Sequence, residues 1–176
     1  LYIDGANKNI TVAGNDLTAI SNGLTFGIYS KNTNKNELIL IEENVISVVG
    51  QASTNVRSLV SGIETDDYNA RIYNNTVNVR NSASYRDGNK IYGISHAKES
   101  SGKFAYDIKD NKVNSDGKYA VYLNGVSSCN VTGNDLVAHA LKRDESVWVY
   151  GTGNNISDNG PSTQINIQVS DSIKGN

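Results

Sequence analysis

The chain has 176 residues, 38% of them apolar, and a formal net charge of −2, enough for one domain but lean for a compact globule. The small charge carries no basic run, which excludes recruitment of nucleic acid by bulk electrostatics, and no apolar run approaches the roughly 18 residues of a membrane-spanning helix. Sixteen Gly, one Pro, no Met and a single cysteine, Cys129, describe an all-β chain with many turns and no internal disulfide.

In chain order, the first element, Leu1-Tyr2-Ile3-Asp4-Gly5, matches Val121-Tyr122-Leu123-Asn124-Gly125 in mid-chain, so the sequence reads as a piece of a longer repetitive protein. Ile10 to Asn15 follows, and Ser21-Asn22-Gly23 closes a first coil. A second coil starts near Phe26, passes a polar loop from Lys31 to Asn36 and reaches Leu38 to Ile41. The third holds Asp66-Asp67 and Ile72 to Val77; the polar stretch from Asn81 to Lys90 reads as an excursion. The fourth runs from Tyr92-Gly93-Ile94 through a second excursion, Ala97 to Lys103, to Ile108. The fifth, Tyr119 to Lys142, is the most compact, and the sixth opens at Val147-Trp148-Val149. Beyond Pro161 the pattern decays into Gln164 to Val169, and residues 162–176 are expected to supply a C-terminal cap strand.

Two repeating signals run through these coils. The first is an aliphatic-x-x-Asn-x-aliphatic unit with Asn15, Asn44, Asn75, Asn111, Asn134 and Asn159 at its centre, spaced by 29, 31, 36, 23 and 25 residues, and only the last copy breaks, with Pro161 in the aliphatic place. That spacing belongs to a solenoid with one coil per repeat. In-register side-chain amides donate to one neighbour and accept from the other, and Asn tolerates the left-handed backbone of a sharp turn, so an inward asparagine ladder is expected.

The second signal is an aliphatic residue, after a small one at Ile28, Ile63, Ile94 and Val121 and after Trp148 at Val149, with Leu1 as a sixth. Alternation sends these inward and sends Tyr2, Tyr29, Glu64, Ser95, Tyr122 and Tyr150 into an outward column. Two or three short parallel strands per coil, stacked at roughly 4.8 Å, give a rod on the order of 29 Å long. The expected fold is an all-β right-handed parallel β-helix of about six coils, a single domain over residues 1–176.

The six asparagine units, with runs such as Asn7 to Leu17 and Gly27-Ile28-Tyr29, resemble the pectin-lyase-like right-handed parallel β-helix superfamily. The style, rich in Asn with Gly-Ile-Tyr coils, is similar to repetitive adhesin-like surface proteins of methanogenic archaea and some bacteria. The resemblance implies an extracellular or cell-surface module, non-catalytic, that acts as a structural spacer or binds carbohydrate, with neighbouring repeats and a cell-surface or environmental polysaccharide as partners. The superfamily also contains polysaccharide lyases and uronate epimerases acting on acidic glycans, which is the alternative.

For that alternative, alignment of the coils sets Lys31 opposite Asp66 and Asp67 opposite Lys98, with Glu64 beside them. The resemblance implies, for a lyase, carboxylates converging on Ca²⁺ and a deprotonated Lys or Arg as base; the ordinary reading is a pair of surface salt bridges. No cofactor is implied otherwise. His96 and His139 lack a second ligand at metal spacing, so His96 is read as loop surface and His139 as a partly buried packing residue. Cys129, with no histidine beside it in the repeat, is read as a small buried thiol. Tyr2, Tyr29, Tyr122, Trp148 and Tyr150 are expected to point outward, either to stack on sugar rings or to stiffen the sheet as a ladder. Sequons at Asn9, Asn74, Asn130 and Asn155 are available to a glycan if the chain is exported.

Overall fold

The computed structural model describes residues 1–5, 9–31, 34–50, 59–81, 90–97, 104–139, 146–160 and 167–168. Lys98, Pro161 and most of the two polar excursions lie outside them. The described residues form strands and turns only. The first coil contributes β1 (Tyr2–Asp4), β2 (Ile10–Ala13) and β3 (Asp16–Ser21); the second β4 (Thr25–Lys31), β5 (Ile39–Glu42) and β6 (Val45–Gly50). The third holds β7 (Leu59–Thr65), β8 (Asn69–Tyr73) and β9 (Thr76–Asn81), and the fourth β10 (Lys90–His96), β11 (Ala105–Lys109) and β12 (Lys112–Ser115). Then come β13 (Tyr119–Ser127), β14 (Asn130–Thr132) and β15 (Asp135–Ala138), followed by β16 (Val147–Thr152), β17 (Asn155–Ser157) and β18 (Ile167–Gln168).

Equivalent strands of successive coils pair in parallel. Sheet A is β1-β4-β7-β10-β13-β16-β18, sheet B runs from β2 to β17 and sheet C from β3 to β15. The molecule is a parallel β-helix. Its interior is filled by β-branched side chains stacked in register: Ile28, Ile63, Ile94 and Val121 from sheet A, Val12, Ile41, Ile72, Ile108 and Val131 from sheet B, and Ile46, Val77 and Val113 from sheet C. Burying each such side chain contributes about 1.5–3 kcal/mol.

The last coil departs from the sequence alignment. Val147, and not Val149, pairs with Val121, so Trp148 lies beside Tyr122 while Tyr150 lies beside Asn124. The Val147-Trp148-Val149-Tyr150 alternation satisfies either register equally, and ring stacking of Trp148 on Tyr122 at 4.5 Å selects the observed one. β18, beyond the repeat, pairs with Val147 and Trp148 of β16.

Between sheets B and C the six asparagines form a continuous chain. Asn15 Nδ2 donates to Asn44 Oδ1 at 2.9 Å, and the same bond joins Asn44 to Asn75, Asn75 to Asn111, Asn111 to Asn134 and Asn134 to Asn159 at 2.9–3.0 Å. Each acceptor oxygen also takes the backbone N–H of the asparagine in the coil before it. Asn44, Asn75, Asn111 and Asn134 are buried.

The left-handed residue is not the asparagine itself but the one before it: Gly14, Glu43, Asn74, Asp110, Gly133 and Asp158 have φ of 54–66°. The ladder residue keeps an ordinary backbone because its side chain must aim along the rod axis. Glu43 is exposed and carries a Cβ where glycine fits without strain. Glu43→Gly is therefore expected to raise stability by about 0.5–1 kcal/mol, read as a higher urea midpoint with unchanged slope.

Candidate functional site

β7 delivers Thr65 to the interior, directly before Asp66-Asp67, and the neighbouring strands deliver Ser30 and His96 to the same inward column. Asp67 turns inside and is buried; its Oδ2 accepts the hydroxyls of Ser30 and Thr65, the latter at 2.8 Å. Tyr106, from β11, donates its hydroxyl to the Asp67 carbonyl at 2.7 Å. Burial holds the Tyr106 phenol well above its ordinary pKa, with Cys129 and the acidic residues adding to the effect.

His96 is fully buried in this cluster rather than on a surface loop, because β10 continues past Ser95 and alternation turns the next side chain inward. Its Nδ1 lies 2.7 Å from the Thr65 carbonyl, which only accepts, so this nitrogen carries the proton. Tyr106 Oη is 3.1 Å from the same nitrogen and Asp66 Oδ1 is 3.6 Å away. His139 is exposed, contrary to its reading as a packing residue, since it follows the inward Ala138 at the end of β15.

Glu64 lies on the outer side of sheet A but is also buried: Oε1 accepts the Ala97 N–H at 3.0 Å and Oε2 accepts the Ser95 hydroxyl. Asp66 is partly exposed, with its Oδ2 3.4 Å from the Tyr29 hydroxyl. Lys31 is half-buried in register with Asp4. Of the five lyase-type candidates, Glu64 and Asp67 are enclosed in hydrogen bonds, Asp66 and Lys31 reach solvent, and Lys98 is not described. Among the described residues no three acidic, histidine or cysteine side chains converge to hold a metal ion.

The aromatic residues form stacks on the outer face of sheet A. Tyr2 stacks on Tyr29 at 5.0 Å. Higher up, Tyr92, Tyr122 and Trp148 form a continuous pile with ring separations of 4.5 Å, and Tyr150 lies 6.0 Å beyond. Tyr92, absent from the column expected from the sequence, stacks on Tyr122, whose register partner on β10 is the small Ser95. Tyr119 closes the pile from the side at 5.3 Å from Tyr122. Both faces of Tyr122 are therefore occupied by protein, and large open ring surface remains at Tyr2, 68% exposed, and Tyr150, 46% exposed. Near the Asp66 and Glu64 carboxylates, burial first and then those charges push the Tyr29 phenol up to about 12.

Cys129 is fully buried, and its Sγ accepts the Tyr106 N–H at 3.2 Å. Burial pushes the thiol up to about 12, partly offset by that bond. At pH 8 only about one thiol in ten thousand is ionised, so native protein is expected to resist an aromatic disulfide reagent that labels it at once in urea. The folded pKa lies above the unfolded one, so this stability is complete below about pH 9 and is lost as pH rises toward 12.

The sequon residues Asn9, Asn74, Asn130 and Asn155 are all exposed. Compared with protein-family models, curated proteins and solved structures, the chain finds no match.

Proposed function

We propose that the chain is a non-catalytic β-helix module of an extracellular, adhesin-like surface protein, of the pectin-lyase-like kind, whose first role is that of a structural spacer. One observation carries this reading: the carboxylates of Asp67 and Glu64 serve as acceptors that fasten neighbouring coils, Asp67 within the rod and Glu64 beneath the surface of sheet A. A reacting carboxylate needs access to substrate, and these two are buried. The aromatic pile supports the same role, since its rings spend their faces on one another.

Glycan contact is a second role, favoured by the open rings of Tyr2 and Tyr150 and by the half-buried Trp148. A lyase or epimerase would have to rest on Asp66 and Lys31, with Ca²⁺ supplied from solution. Incubation with uronate polymers and Ca²⁺, followed by the ultraviolet absorbance of unsaturated products, tests the proposal. No product is expected; product that disappears in Asp66→Asn would overturn it. On a glycan array, retention lost on Trp148→Ala would assign the contact to the aromatic pile.

A further inference from the structure

The outer face of sheet B carries a recess that neither the carboxylate cluster nor the aromatic pile uses. It has a volume of about 380 Å³ and runs from the second coil to the fifth, within the size range of small-ligand sites. Two small residues, Ala105 of β11 and Ser128 in the turn before β14, line the recess, and the residues around them are longer. Its wall is the turn before β5, and that wall is tied down: Asn69 Nδ2 donates to the carbonyls of Lys35 at 2.8 Å and Glu37 at 3.4 Å, and Asn34 Nδ2 donates to Glu37 Oε1 at 2.9 Å.

Along the floor, Arg71, Asp107 and Asn130 occupy one register position on β8, β11 and β14. Their side chains share the outward face, one strand spacing of roughly 4.8 Å apart. The Arg71 guanidinium and the Asn130 amide make no hydrogen bond or ion pair among the described residues, and both residues are exposed. Asp107 Oδ2 accepts the Tyr73 hydroxyl, and its Oδ1 has no partner among the described residues. Burial and that bond push Tyr73 up to about 12, so it remains a donor and fixes the carboxylate.

A row of guanidinium, carboxylate and amide, with the carboxylate fixed by Tyr73, offers donors and acceptors in alternation. Sugar hydroxyls, each both donor and acceptor, satisfy such a row, and adjacent carboxylate and amide groups suit a vicinal diol. With Glu37 and Asp107 against Arg71 the recess carries no positive surplus, which disfavours a uronate or phosphate, and it presents no large apolar surface for a peptide side chain. We infer that this recess binds a neutral oligosaccharide, independently of any glycan contact at the aromatic pile.

The test is a titration of ¹⁵N-labelled chain with neutral gluco-, manno- and galacto-configured trisaccharides, and with a trigalacturonate, each up to about 10 mM. At least one neutral trisaccharide is expected to shift the amides of Arg71, Asp107 and Asn130 saturably, with about tenfold weaker binding in Asp107→Ala and Asn130→Ala and no change in Trp148→Ala. Circular dichroism identifies any variant that fails to fold, and Asn130→Asp then serves in its place. Absence of saturable shifts at these amides, tighter binding of the trigalacturonate there, or shifts confined to the Trp148 region would overturn the proposal.

Discussion

An Asn111→Ala chain is expected to lose about 3–5 kcal/mol of stability, a large part of what a domain of this size possesses. Asn111 Oδ1 accepts two N–H groups of Asn75, and its Nδ2 faces the carbonyls of Ile72 and Lys109 and the oxygen of Asn134. Truncation strands two or three buried polar groups at about 1–3 kcal/mol each. Asn111→Asp keeps the acceptor but sets a carboxylate against three oxygens, so it should fare no better. Asn15, exposed at one end of the ladder, has water as a substitute, and Asn15→Ala is expected to cost only about 1 kcal/mol. Urea unfolding of the three variants checks the ranking.

Gly62→Ala is expected to cost about 3 kcal/mol, and Gly62→Val more. Gly27, Gly62 and Gly93 occupy the same bend in sheet A, where the strand turns two successive residues inward. A Cβ on Gly62 would lie 2.2 Å from Val77 Cγ1 and 2.7 Å from the Gly93 carbonyl oxygen. Relief would require separating β7 from β10 or displacing a fully buried valine. In the fifth coil Ala120 takes the glycine position, and there Leu136, unbranched at Cβ, replaces the valine of sheet C. Gly23 is the control: a Cβ there meets nothing within 4 Å, so Gly23→Ala should stay within about 0.5 kcal/mol of native. Thermal unfolding of both variants reads the difference.

The fold was legible because a β-helix writes one structural decision per coil. An aliphatic on each side of an asparagine marks the passage from sheet B to sheet C, and the small residue before Ile28, Ile63 and Ile94 marks the inward bend of sheet A. The candidate site was less legible at the strand ends: alternation from the inward Ile28, Ile63 and Ile94 turns Ser30, Thr65 and His96 to the interior, but the turn that carries Asp67 in after them leaves no mark in that alternation. Burial of Glu64 follows from its bonds to Ser95 and Ala97, and a pattern of residue types does not show such bonds. The register of the sixth coil depended on which ring Trp148 stacks against, a contact between residues 26 apart in sequence. The sheet B recess is lined by two small residues, Ala105 on β11 and Ser128 in the turn before β14, a signal visible only once the coils are aligned.

Hydrogen exchange of the asparagine side-chain amides tests the stacked-coil account most directly. If Asn75 and Asn111 bridge successive coils inside the rod, their Nδ2 protons should exchange at least about a thousandfold more slowly than those of the exposed Asn36. Exchange of all three at the same rate would contradict it.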